Sequence, residues 1–198
     1  MSDTELQVDP RVVRTRRLLL DAFIGLMGEK PFEDISITEI ATRATVNRAT
    51  FYAHFADKQE LADAFLREGF ERILQKHTAV KGKTMHECLH NLFMATLEHR
   101  RTVHADCKAK GRNSNELRVF EASIEVEVKM QLREYIHERL LDDAGKKTST
   151  AKQQADMMAA VISSALYAAV VHISTMPASQ STSHIDVIVD RIARTLDT

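Results

Sequence analysis

A chain of 198 residues, 44% apolar and 28% charged with six glycines and three prolines, can bury a core of its own and suits a globular, helix-rich protein. Its formal net charge of −1 excludes the basic excess by which nucleic-acid binders usually declare themselves, so any such role must rest on local charge. Two cysteines, Cys88 and Cys107, make no disulfide framework, no run reaches the ~18 uninterrupted apolar residues of a membrane span, and acidic MSDTELQVD is no signal peptide, so a cytoplasmic protein with free thiols and no membrane partner is expected.

Residues 1–8 carry no periodicity and read as a loose tail. Asp9-Pro10 is a helix start, with aspartate as cap and proline at the first helical position. Leu19, Leu20, Phe23, Ile24 and Met27 form the inner face of that helix, and Gly28 with Pro31 stops it. Ahead of this face Arg11, Arg14, Arg16 and Arg17 fall together with no acid among them. Residues 1–60 hold eight Lys/Arg against ten Asp/Glu, so a positive field, if one exists, is focused at this arginine group.

Phe32 and Ile35 lead into the densest set of local signals. Ser36 with Glu39 is a capping box, so a helix begins there with Ile37, Ile40, Ala41 and Ala44 as its apolar stripe. Ala44-Thr45-Val46 interrupts it before Asn47, another good N-cap. The helix that follows turns Phe51 and Phe55 to the core and leaves Arg48, Ala49, Tyr52 and His54 outward. Asp57 with Glu60 then launches a longer helix through Leu61, Phe65 and Phe70. Two short helices joined by a tight turn, the second opening on polar residues, make a helix-turn-helix that lays its second helix in the DNA major groove.

Ile40-Ala41, Val46 to Tyr52, His54-Phe55, Lys58 and Leu61 closely resemble the pattern IA..AGVS.GTLY.HF..K..L of TetR-type transcriptional regulators. Thr45 stands where that family usually has the turn glycine, and Ala49 where it often has a second. A β-branched residue at positive φ is strained by about 1 kcal/mol or more, so either the turn is not left-handed at Thr45 or the strain is offset elsewhere. The resemblance implies an all-α fold: an N-terminal three-helix DNA-binding domain over residues 1–56, then a helical ligand-binding and dimerisation domain over 57–198. Arg48 and Thr50 are the candidates for base edges or adjacent phosphates, an arginine–guanine fork being worth about 1–3 kcal/mol of discrimination. Tyr52, His54 and Lys58 map onto family positions that commonly touch phosphate. Ser36, Thr38 and Arg43 are placed for the same on the preceding helix, and Asn47 and Ala49 complete the set.

Beyond this unit the Asp57 helix is predicted to run to about Lys76, with a break at Lys81-Gly82-Lys83 and a capping box from Thr84 to Glu87. Cys88, Leu89, Leu92, Phe93, Ala95, Thr96 and Leu97 give the next helix a broad apolar face ending near His104, and the polar stretch from Asp106 to Asn115 reads as a loop. Leu117 to Leu140 marks a long helix closing at Asp142 to Gly145. Thr150 to Ser174, rich in Ala, Ser and Met and apolar over much of its circumference, reads as a helix buried on more than one side. Pro177 to Ser183 reads as a linker, with Ser183 capping a last helix that turns Ile185, Ile188, Val189, Ile192 and Leu196 inward.

The resemblance further implies a homodimer through the two C-terminal helices, double-stranded DNA with a palindromic operator as partner, and an unidentified small-molecule effector whose entry shifts the linking helix. Phe93, Leu97, Phe120, Ile124 and Met158 are the candidates to line its pocket, since helix-spaced aromatics and methionines line adaptable cavities. His86, Cys88 and His90 invite a metal reading, but Cys88 lies two residues from each imidazole and no third ligand follows, so no metal or cofactor is expected. No phosphate loop, G-x-S-x-G or C-x-x-C is present, which speaks against an enzyme. The expected function is a DNA-binding regulator, a repressor released by its ligand. The alternative from another class is a dimer that chiefly docks other proteins, which the lack of net positive charge would suit.

Overall fold

The computed structural model describes residues 9–79, 84–109, 114–145, 148–176 and 178–194, without the side chains of 105–120, 144 and 178–183. Among the described residues every regular element is helical: α1 (Pro10–Met27), a 3-10 turn (Phe32–Asp34), α2 (Ile37–Arg43), α3 (Arg48–Tyr52), α4 (Lys58–Thr78), α5 (Met85–Ala109), α6 (Ser114–Ala144), α7 (Ser149–Ser174) and α8 (Ala178–Arg194). They form two compact units. Residues 1–65 with 112–116 make the first, and 66–111 with 117–198 the second, so the dividing line falls inside α4.

In the first unit Asp9 caps α1 by accepting from the Arg11 N–H at 2.8 Å, with Pro10 at the first helical position. The buried face of α1 is Leu19, Leu20, Ala22, Phe23, Leu26 and Met27. Ile24, expected inside, is 38% exposed. At 3.6 residues per turn Leu26 comes round to within about 20° of Leu19, whereas Ile24 lies about 140° away, past the edge of the stripe. Phe23 is the hub of this core. It meets Phe32 and Phe65 edge-on, each at 6.1 Å, and Ile35, Ile40, Phe51, Phe55 and Leu61 are buried in the same unit.

The second unit is built on α5, which packs against α7 and α8. Leu89, Leu92, Phe93 and Leu97 of α5, Val128, Leu132 and Ile136 of α6, and Ala159, Leu166, Val170 and Ile173 of α7 are buried. By length and composition α7 would pass for a membrane span, but eight of its residues are packed into the unit. Its opposite side is open within one chain: Met157 is 65% and Val161 64% exposed, so the expected burial on several sides is not met by the subunit alone.

Two predicted breaks are helical. α5 continues past His104 to Ala109 and α6 begins at Ser114, which leaves only 110–113 of the expected loop, and those residues lie outside the described ones. Polar composition suggested the loop, yet Ala105, Lys108 and Ala109 are among the better helix formers. Likewise α8 begins at Ala178, so Ser183 is not its cap and 178–183 is not a linker; serine, threonine and glutamine disfavour a helix only mildly. Ile185 and Val189 are buried as expected, Ile188 and Ile192 half-buried, and Leu196, like the tail 1–8 and the break 81–83, lies outside the described residues.

Candidate nucleic-acid interface

The site begins with the start of α2. Ser36 Oγ accepts from the Glu39 N–H at 3.2 Å and the Glu39 carboxylate accepts from the Ser36 N–H at 2.9 Å, which completes the capping box. Lys30 also bonds Glu39. That lysine bond first, and the Ser36 bonds after it, hold the Glu39 carboxyl down at about 2.

α2 ends at Ala44, and the next two residues form a Schellman turn. The Thr45 N–H donates to Thr42 O at 3.1 Å and the Val46 N–H to Ala41 O at 2.9 Å, with Thr45 at φ +57°. Of the two possibilities left open by the sequence, the turn is the left-handed one, made without glycine. The geometry places Asn47 to open α3, its Oδ1 accepting from the Thr50 N–H at 2.7 Å and the Thr50 hydroxyl at 2.9 Å.

Because Phe51 is wholly buried, the other side of α3 is held toward solvent. Arg48 and Ala49 are exposed, and Tyr52 is 48% exposed. Arg48 donates to the Tyr52 hydroxyl at 3.1 Å, with its guanidinium 5.7 Å from the Tyr52 ring. This i, i+4 pair presents a cation and a phenol side by side on the open face. Ser36, Thr38 and Asn47 are exposed, while Thr50 and His54 are half-buried.

Two candidates are engaged inside the unit. Lys58, mapped to a phosphate contact, donates to the carbonyls of Phe32 at 2.7 Å, Ile35 at 2.8 Å and Glu33 at 3.2 Å, and its ammonium lies 4.4 Å from the Phe32 ring. All three donors of the ammonium are spent on the 3-10 turn. Arg43 donates to Glu29 at 2.6 Å and lies against α1 where Gly25 leaves room; a Cβ there would sit 2.7 Å from its guanidinium. Of the arginine group, Arg11, Arg14 and Arg17 are exposed, whereas Arg16 covers the Phe55 ring at 4.5 Å. Sequence reasoning missed these contacts. One signal was available for Lys58: a cation in the first turn of a helix opposes the helix dipole, so another partner must hold it.

The pocket candidates of the second unit are less open than expected. Phe93, Leu97 and Ile124 are buried in the core, Met158 is half-buried, and the Phe120 side chain lies outside the described ones. The gap beside Ile124 is about 10 Å³, room for one water. A larger groove of about 370 Å³ involves none of the candidates; Arg67, Glu71, Gln131, Glu134, Tyr135 and Glu138 line it. Of the three residues considered for a metal, Cys88 is buried and burial pushes its thiol up to about 11, which disfavours the thiolate a metal needs. His90 lies 3.8 Å from Asp186.

The family model of bacterial regulatory proteins, tetR family, matches residues 19–65, the stretch from the α1 core to Phe65. An uncharacterised HTH-type transcriptional regulator of Bacillus subtilis, YxbF, is 38% identical over 77 residues, 38% of this chain and 20% of that one. An uncharacterised HTH-type transcriptional regulator of Haemophilus influenzae is 45% identical over 49 residues, 24% of each chain. The chain thus spans a quarter or less of the length of these relatives. A solved TetR transcriptional regulator from Rhodococcus sp. RHA1 shares the fold, with a TM-score of 0.50 at 20% identity over 96% of this chain and 100% of that one. The capping box, Schellman turn and solvent-facing α3 all lie inside the stretch that matches the model of bacterial regulatory proteins, tetR family.

Proposed function

We propose that the chain is a cytoplasmic transcriptional regulator that reads double-stranded DNA with α3, acts as a homodimer through α7 and α8 on a palindromic operator, and serves as a repressor released by a small-molecule effector. The observation that carries this reading is the open face of α3, where Arg48, Ala49 and Tyr52 stand in solvent above a wholly buried Phe51. A recognition helix needs that division: one side anchored so the other can meet base edges in register. The apolar residues left open on the last two helices, Met157, Val161 and Val187, support the dimer. One such helix buries too little surface to be specific, and a two-fold pair adds the energies of two half-sites about 34 Å apart or a multiple of that.

The test is selection of bound sequences from a random double-stranded pool by the full chain. A two-fold symmetric consensus is expected. Recovery of sequences with no common element, or binding that does not weaken as salt rises, would refute DNA reading.

A further inference from the structure

Inside the second unit a set of polar side chains on α5, α6 and α7 surrounds the water-sized gap beside Ile124. Its centre is Arg100, whose side chain is only 16% exposed. The Arg100 Nε–H donates to Ser174 Oγ at 2.9 Å, and the Tyr167 hydroxyl lies near the guanidinium. Its nearest carboxylate, Glu121, stands 3.9 Å away, beyond hydrogen-bond reach, and lies closer to His104 at 3.4 Å. The neighbouring Lys129 is already paired with Glu125. His99, 6% exposed, lines the same gap against the Phe70 ring and makes no hydrogen bond among the described residues.

A half-buried guanidinium with no anion in hydrogen-bond reach among the described residues, beside a buried imidazole with no hydrogen bond to them, is costly unless something completes it. The two sides of the Arg100–Glu121 pair are unequal. The Glu121 side chain is 38% exposed and can rotate into water, whereas Arg100 is held by Ser174. Rotation of Glu121 would also vacate space the size of one carboxylate beside the gap.

We propose that Arg100, His99 and Tyr167 form the recognition site for the carboxylate of a small organic acid, which displaces Glu121 as the anion facing Arg100. This deepens the proposed function by naming the chemistry of the effector, and it rests on that reading only for its consequence at DNA. The incoming carboxylate takes two N–H bonds from the guanidinium fork, a charge-assisted geometry that an amide cannot reproduce. Burial holds the His99 imidazole down at about 4, so at neutral pH it is uncharged and contributes one N–H. The gap of about 10 Å³ holds only one water, so the apolar remainder of the acid requires the helices to part beside Ile124 and Val103.

The test is calorimetric titration of the full chain at neutral pH with straight-chain carboxylates from acetate to octanoate, each against its primary amide. At least one acid is expected to bind, with its amide weaker by about tenfold or more. Arg100→Met should abolish binding and Arg100→Lys, which keeps the charge and loses the fork, should weaken it. Glu121→Gln, which removes the competing anion, should tighten it several-fold. No heat from any acid in either the wild type or Glu121→Gln, equal binding of acid and amide, or unchanged affinity in Arg100→Lys would each overturn the proposal; the last two variants decide the matter if Arg100→Met fails to fold. A chain that binds the acid but selects no DNA would overturn the regulator reading and leave this site standing, and the reverse result would do the opposite.

Discussion

Arg48 stands in solvent, bonded among the described residues to the Tyr52 phenol, and the proposed contact of its guanidinium with a guanine edge would discriminate by about 1–3 kcal/mol through two hydrogen bonds. Arg48→Ala should therefore weaken a selected operator about 5- to 150-fold while leaving random DNA much less affected, measured by titration at one salt concentration. Equal losses on both would reduce its part to phosphate contact. Lys58 makes the opposite case. Removing its ammonium in Lys58→Met strands the carbonyls of Phe32, Glu33 and Ile35, and should lower unfolding stability by about 2–3 kcal/mol. The salt slope of DNA binding should stay where it was, since a phosphate-contacting lysine would lower it by about 1. Thr45, a β-branched residue at φ +57°, carries strain that glycine would not. Thr45→Gly should raise unfolding stability by about 1 kcal/mol, read as a higher urea midpoint at unchanged m.

At the scale of elements, what could be read from sequence was what neighbours in sequence decide. The boxes at Ser36 and Thr84 and the cap at Asp57 are made within three or four residues, and each appears where those residues predict it. Contacts that decide which polar residues remain available lie farther off: Arg43 meets Glu29 across 14 positions, and Lys58 meets Phe32 across 26. Periodicity cannot show those. Nor could composition separate a loop from a polar stretch of helix at 106–109, 114–115 and 178–183. The Arg100 site escaped for a similar reason, because it joins three helices whose separate patterns look like ordinary core. α7 carries a consequence at this scale. Met157, Val161, Ala165 and Ala168 recur at helical spacing along its outward side, and the three that follow Met157 are small enough for close approach of a second helix. Val161→Glu should leave subunit stability within about 0.5 kcal/mol, since the side chain is 64% exposed in one chain. It should raise the dimer dissociation constant by about a hundredfold or more by burying an unpaired charge. Sedimentation of both proteins decides this, and a wild type that runs as a monomer would remove the proposed symmetry.

For the whole molecule the relevant variable is pH, because the depressed imidazole of His99 and the depressed carboxyls of Glu39 and Glu98 act in separate windows. His99 titrates at about 4 when folded and at 6.5 when unfolded, the cause being burial. Between those values the unfolded chain binds more protons, so stability falls as pH falls from 6.5 toward 4, by about 3 kcal/mol at most. Glu39 is depressed from 4.5 to about 2 by Lys30 and the Ser36 cap, so its contribution is present above 4.5 and is lost as pH falls from there toward 2. The net charge of −1 adds little self-repulsion near neutrality, which leaves His99 as the leading source of mild-acid sensitivity. Urea unfolding at about pH 7, 5.5 and 4.5 should show a falling midpoint in the wild type. His99→Leu should flatten the fall above about pH 4.5 while keeping the acid loss below it that belongs to Glu39 and to Glu98, whose carboxyl the Lys76 and His77 hydrogen bonds also hold down. If the variant loses stability in parallel with the wild type through the mild-acid range, His99 is not the group responsible.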